Sequence, residues 1–491
     1  MTAVLHGPTI DWAALMPFTI AGVGAVVVLL FGVVGSNRLS RWLLPLATLA
    51  VLAGVAGELI SQWGESVTIV SNELNLTPLT TGMSLLCVVG AIAAVLLSLR
   101  DSNATTIGRG EFHSLLLFTV LGMLLLISSG DLITLFAGIE LLSISLYILC
   151  ASEIRRERSL EAGIKYLIIG SVGSATLLYG LAMIYGATGS TSFSAIATAT
   201  NQKDLLSDPL MLAGIALTSV GLAFKVSAAP FHQWTPDVYE GAPTPITTFM
   251  ATATKVAALA ILIRLFTGPL AALTDDWAPI LAAISTLSIV VGNAGALGQD
   301  SLKRMLAWSS IAQAGYLLAG LVVATSLGVE ALVYYLGVYV VITIASFAVV
   351  LAVQTENEGN DRLEVFAGLG KRRPVIAGAM TLSMLSLAGL PPTGGFIGKV
   401  SLINADVSGG YTWLAIVIVL GSLVSLGYYL RVISTIWMSS PAAETAKPSG
   451  RRVPELAVIA VVAAVIGLAA GIAPNWPLDR AAEMGNQIAK R

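Results

Sequence analysis

"GLPPTGGFIGK", Gly389 to Lys399, sits inside a long apolar run and decides how this chain is built. Two prolines and four glycines interrupt a segment otherwise suited to hydrocarbon, and a lysine follows at once. Proline removes a backbone donor and disrupts the helical turn before it. Inside a bilayer, irregular backbone survives only where protein or a water-filled cavity covers it. The stretch therefore predicts a membrane helix broken at mid-depth, with a cation at the break.

The rest of the chain supports a membrane setting. It has 491 residues, 56% hydrophobic and only 11% charged, with mean hydropathy +0.85. A soluble domain carries about 25% charged residues. The net charge of −2 gives no reason to expect a nucleic-acid partner. Cys87 and Cys150 stand far apart in apolar runs, which reads as two small buried hydrophobes rather than a redox or iron–sulfur centre. "GVGAVV" from Gly22 has no preceding strand and is not a dinucleotide loop; no P-loop is present. The start lacks a basic n-region, so the first apolar run reads as a retained span.

At about 20 apolar residues per crossing, the fold class is all-α and polytopic, with about fourteen spans. They lie near 10–34, 41–61, 79–99, 112–129, 131–151, 163–187, 209–226, 243–266, 277–298, 304–324, 328–353, 373–404, 411–438 and 453–473, with no stretch between them long enough for a domain. Counted from the N-terminus, the odd loops hold Arg38, Arg41, Arg100, Arg109, Arg155, Arg156, Arg158, Lys303, Arg304, Arg362, Lys371, Arg372, Arg373, Lys447, Arg451 and Arg452. The even loops hold only Lys203, and the C-terminal tail adds Arg480, Lys490 and Arg491. Positive charge stays on the cytoplasmic side. Both termini are thus expected on the outer side.

Six basic residues remain, within or at the ends of spans: Lys165, Lys225, Lys255, Arg264, Lys399 and Arg431. Arg264 and Arg431 lie near span ends and are expected to snorkel. Lys165 is balanced between an anchor and a functional group. Lys255 has apolar or small neighbours for more than a turn on each side. A lysine at a helix centre costs about 2.5–3.5 kcal/mol even on a lenient scale, and such residues are by default functional. Glu140, near the middle of the fifth span, reads as the deepest acid and as a counter-charge.

Lys225 opens a second broken segment, "KVSAAPFHQWTPDVYEGAPTP", carrying Pro230, His232, Pro236 and Asp237. Its break and that at Pro391 and Pro392 lie five spans apart. An odd offset inverts one half relative to the other, and paired broken helices in inverted halves point to an ion pathway. A desolvated lysine can release and retake a proton, as an arginine cannot. Lys225, Lys255 and Lys399 suit proton handling better than static pairing.

These motifs resemble the antiporter-like membrane subunits of respiratory complex I, a bacterial NADH-quinone oxidoreductase. "FKVSAAPFHQWTPDVYEGAPTPIT", "SLKRMLAWSSIAQAGY" and "GLPPTGGFIGK" all look like its N-type subunits, and the likeness spans roughly 111 to 431. Lys399 favours the N type over the M type, which typically has a glutamate there. The chain ends too soon after its last span for the lateral helix of the L type.

The resemblance implies two inverted repeats, 112–268 (spans four to eight) and 277–438 (spans nine to thirteen), with spans seven and twelve broken. It implies that Glu140 pairs with Lys225, that Lys255 is the central relay residue and Lys399 the terminal one, and that Lys165 belongs to the set. His232, Gln313, Pro230, Pro391 and Pro392 become hydrated-path or gating positions. Many relatives have a histidine where Gln313 stands, and glutamine takes up no proton. NAD, FMN, iron–sulfur clusters and quinone chemistry would belong to partner subunits, with the antiporter-like M and L subunits and the small K subunit as neighbours in a bacterial plasma membrane. Two competing readings are a subunit of a multi-subunit cation/proton antiporter or membrane-bound hydrogenase, and a structural scaffold whose buried charges serve packing alone.

Overall fold

A computed structural model of the chain describes residues 10–34, 37–99, 107–202, 205, 208–440 and 453–487, with the side chains of 37–41 left aside. The side chains of Arg38 and Arg41, and Arg100, Lys203, Lys447, Arg451, Arg452, Lys490 and Arg491, therefore lie outside the described residues.

The helices run α1 (Met16–Val34), α2 (Asn37–Ser61), α3 (Pro78–Ser98), α4 (Arg109–Ser128), α5 (Leu132–Cys150), α6 (Glu157–Thr188), α7 (Phe193–Gln202), α8 (Pro209–Val226), α9 (Trp234–Gly241) and α10 (Thr244–Phe266). They continue with α11 (Thr274–Leu297), α12 (Leu302–Val322), α13 (Ser326–Glu356), α14 (Leu369–Arg372), α15 (Pro374–Ala388), α16 (Gly394–Ser408), α17 (Thr412–Met438), α18 (Pro454–Ile472) and α19 (Asn475–Gly485). Thirteen stretches among the described residues are long and apolar enough to cross a membrane. The pair α15 and α16, each too short alone, supplies the remaining crossing expected from the sequence.

Polar caps set many of these helices. Asp131 caps α5 through Ile133, Asp208 caps α8, and Ser301 and Thr325 accept from the first turns of α12 and α13. Each satisfies donors that the first turn leaves open. Small residues then bring helices together, as expected where lipid supplies no hydrophobic drive between them. A Cβ on Gly138 of α5 would lie 2.7 Å from the Leu126 nitrogen of α4. One on Gly292 of α11 would lie 2.4 Å from the Ala312 nitrogen of α12.

The loops sort onto two ends. At one end Ser301 bridges to Arg362, Arg431 meets Asp300, and Arg304 meets Asp237. At the other, a small hairpin of β1 (Val67–Ile69) and β2 (Leu74–Leu76) bridges through Leu74 to Ser129, and Asp131 bridges to Ser192. Among the described residues the odd loops gather at the first end and the even loops at the second. The hairpin, α7, α9 and α19 are not in the span map, being too short to show a membrane-length apolar run.

At the middle lies α10, every residue of which is buried. It packs against α3, α4, α5, α8, α9, α12 and α13.

Three expectations change. Arg264 does not snorkel: it is buried, donating to the Ile127 carbonyl at 2.5 Å and lying over the Phe193 ring. Lys303 is not a loop cation: it is buried in the first turn of α12 and donates to the Ala242 carbonyl at 2.7 Å. The twelfth span does not end at 404, because the break pushes its second half on to Ser408 and draws Asp406 into the helix, fully buried.

Candidate functional site

The two breaks place lysines at helix ends. In the seventh span α8 closes after Val226, with Ser227 in the left-handed region at φ 66°, and α9 starts at Trp234. Lys225 falls in the last turn of α8. In the twelfth, α15 closes on Gly389 at φ 82°, a conformation glycine adopts without strain. There α16 returns so tightly that a Cβ on Gly395 would lie 1.8 Å from the Ser386 carbonyl oxygen. Pro230, Pro391 and Pro392 lie on the exposed sides of their breaks, while Gly394 and Gly395 face inward.

Lys225 is buried and donates to the Ser143 hydroxyl at 2.6 Å, with its ammonium 5.6 Å from the centre of the Tyr166 ring. Ser143 stands three residues after Glu140 on α5. Glu140 itself makes no ion pair with Lys225 within 4 Å, and its Oε1 is buried without a hydrogen-bond partner among the described residues. In place of the direct contact expected with Glu140, Lys225 makes one with Ser143.

Lys255 on α10 is 1% exposed and donates to the Ser310 carbonyl of α12. Its ammonium lies 5.8 Å from the centre of the Tyr339 ring, and the Tyr339 hydroxyl meets that of Ser310 at 3.0 Å.

Lys399 is buried, 4.6 Å from the centre of the Tyr316 ring, and donates to the Leu387 and Ala388 carbonyls at 3.1 Å each. These are carbonyls that the break frees from α15. Gln313 on α12 donates to the same Leu387 oxygen at 3.2 Å. Its own oxygen accepts from the Tyr335 hydroxyl, and its nitrogen also reaches the Tyr429 hydroxyl at 3.3 Å. Tyr429 meets Ser309 at 2.5 Å. Polar contacts thus join Lys225 to Ser143 and Lys255 to Ser310, and farther along α12 Gln313 and Lys399 share the Leu387 carbonyl.

Two expected members stand apart. Lys165 is half-exposed, paired with Glu161 at 2.7 Å and Asp237 at 2.9 Å in a cluster completed by Arg304 and Glu240. That geometry suits an anchor. His232 is half-buried beside the Trp308 ring, and its Nδ1 has no hydrogen-bond partner among the described residues. The serines and tyrosines were missed because neither type stands out in an apolar helix. Only their spacing on α12, with Ser309, Gln313 and Tyr316 on one face, could have flagged them.

Among the described residues no three His, Cys, Asp or Glu side chains converge to hold a metal ion. Cys87 and Cys150 are buried on separate helices. The donor set does not fit an iron–sulfur cluster.

Residues 129–425 match the model of a family described as the NADH:quinone oxidoreductase/Mrp antiporter membrane domain. The chain is 40% identical over 472 residues to the NADH-quinone oxidoreductase subunit N of Trichlorobacter lovleyi, covering 96% of each chain. It is 42% identical to that of Moorella thermoacetica, over 86% of this chain and 88% of the relative. Among solved structures it resembles a chain of respiratory complex I from Thermus thermophilus with bound aureothin, at TM-score 0.81 and 36% identity, covering 95% of this chain and 100% of that one. A chain of the Mrp complex from Dietzia shares the fold, with TM-score 0.87 at 21% identity over 98% of each.

Proposed function

Because the chain belongs to the NADH:quinone oxidoreductase/Mrp antiporter membrane family, we propose that it works as the N-type membrane subunit of NADH-quinone oxidoreductase and moves protons across the bilayer. Its partners are other subunits of that complex, and it is a multi-pass membrane protein. NAD, FMN and iron–sulfur chemistry belong to those partners. The plasma membrane is its site, with odd loops cytoplasmic and both termini outside, in keeping with the positive charge of the odd loops.

The observation that carries the reading is the line of buried lysines. Three cations sit inside a bundle of apolar helices, each on a serine or a main-chain carbonyl rather than in contact with a carboxylate. A scaffold would neutralise such charges or omit them, since an unpaired buried charge costs several kcal/mol. As exchangeable sites they take and pass protons. Lys225 receives, with Glu140 biasing its charge; Lys255 relays in the centre; Lys399 delivers. Gln313 positions Tyr335, Tyr429 and the Leu387 carbonyl beside Lys399 without itself carrying a proton.

The same reading makes 112–268 and 277–438 inverted repeats. In support, α4 with α5 and α11 with α12 are glycine-mediated pairs at matching places. The fourth element of each half is the broken one.

The test is Lys255→Met in the assembled complex reconstituted in vesicles. NADH-driven proton pumping should fall about tenfold or more, while electron transfer from NADH to ferricyanide, which needs no membrane relay, stays at the wild-type rate. Full pumping by the variant would sink the proposal, as would loss of the whole complex.

A further inference from the structure

Asp406 is the only acid of the twelfth span. It is fully buried near the end of α16, and neither carboxylate oxygen has a hydrogen-bond partner among the described residues. Leaving a carboxylate in that state is costly, and the line of lysines makes no use of it.

Its position is fixed by two helices running side by side in the same direction. The Lys399 ammonium lies over Tyr316 of α12, Leu402 lies against Gly320, and Gly409 lies against Val323. Asp406 is four residues past Leu402 and three before Gly409, hence on the same face. It sits between the levels of Gly320 and Val323. The next residue of that end, Ala324, lines a cavity of about 560 Å³ shared with Asn75, Asn201, Arg264 and Thr274. This cavity lies at the end of the bundle that bears the hairpin.

We propose that Asp406 carries protons from Lys399 to that vestibule; this rests on the proton-translocating reading of the chain. The Lys399 ammonium releases its proton and is left neutral, and the Asp406 carboxylate takes it and becomes a carboxylic acid. Asp406 then gives the proton to vestibule water and regains its charge. No electron moves. The residues are seven apart, about 10 Å along a helix, so bridging water completes the transfer. The elements packed on α16 bring few competing groups. Tyr316 comes from α12, whose Lys303 and Arg304 lie at its opposite end, and Glu330, Tyr334, Tyr335 and Tyr339 come from α13, whose Glu356 lies at its far end. From α17 come Tyr428, Tyr429 and Arg431, the last held at the far end by Asp300. No titratable group comes from α15, and α18 has only Glu455, at its opposite end.

The experiment compares Asp406→Asn, Asp406→Glu and Lys399→Met in the reconstituted complex, reading proton pumping beside NADH–ferricyanide activity. Asp406→Asn keeps shape and removes only the exchangeable proton. Its pumping should fall about tenfold, with Asp406→Glu recovering at least half and ferricyanide activity unchanged in both. Wild-type pumping by Asp406→Asn while Lys399→Met is impaired overturns the role of Asp406 and leaves the wider reading standing. Wild-type pumping by both overturns the wider reading. If Asp406→Asn fails to assemble, Asp406→Glu decides: a shifted pH profile of pumping supports the exit role, and an unchanged profile overturns it.

Discussion

In the seventh span the half-helix α8 carries Lys225 to its own end. In the twelfth, α15 ends bare and Lys399 reaches back to it from α16. Both ammoniums finish at the C-terminal end of a half-helix, where the macrodipole and open carbonyls favour a cation. The supports differ. Lys225 rests on a side chain of another helix, Ser143, and Lys399 on the two main-chain carbonyls that its own break exposes. The acids downstream of the two lysines differ too. Beyond Lys225 the chain reaches Asp237, partly exposed and compensated by Lys165 and Arg304. Beyond Lys399 it reaches Asp406, buried and without a hydrogen-bond partner among the described residues. One break opens onto a balanced surface network and the other onto an interior acid, so on the proposed reading exchange past the second break should be sensitive to single charges and exchange past the first buffered.

Substitutions at four positions press on that contrast. Gly395→Val should have the largest effect, since its side chain would overlap the Ser386 carbonyl and part α16 from α15. The twelfth-span break should lose its geometry, read as failure of the complex to assemble on native gels. Lys399→Arg keeps charge but not exchange. Pumping should fall about tenfold with assembly intact, and wild-type pumping would make the lysine a mere electrostatic post. Glu140→Gln should slow pumping by several-fold, and Glu140→Asp less, because with no direct contact to Lys225 the charge matters more than its reach. Equal damage from both would show that shape is what the site requires. Asp237→Asn should do least. Its partners are partly exposed, and such pairs contribute roughly 0–1 kcal/mol. Pumping should change by less than about twofold, and a larger loss would move the first break into the sensitive class.

Much of this was legible in the chain. The spans, both breaks and the three interior lysines follow from apolar run length, proline placement and the cost of a central cation. The residues that escaped did so for physical reasons. Asp406 lies just past the boundary expected for its span, because a broken helix advances its second half and apolar counting does not see the offset. Lys303 and Arg264 sit where a loop or a snorkelling stem is the cheaper assumption, and only the packed bundle shows them turned inward onto carbonyls. Ser143 is one hydroxyl among many on apolar helices, which bond their own backbone as readily as a neighbour. Its contact with Lys225 depends on how α5 meets α8, which no local pattern encodes.

The full enclosure of α10 has a mechanical consequence. A helix that touches no lipid has no hydrophobic mismatch to relieve by tilting, whereas the largely exposed rim helices α1, α6 and α18 do. Thinning or thickening the bilayer should therefore lean the rim helices while α10 keeps its register against α12 and α13. The contact of Lys255 with Ser310 is carried on the part of the molecule that membrane deformation reaches last, and the rim acts as its suspension.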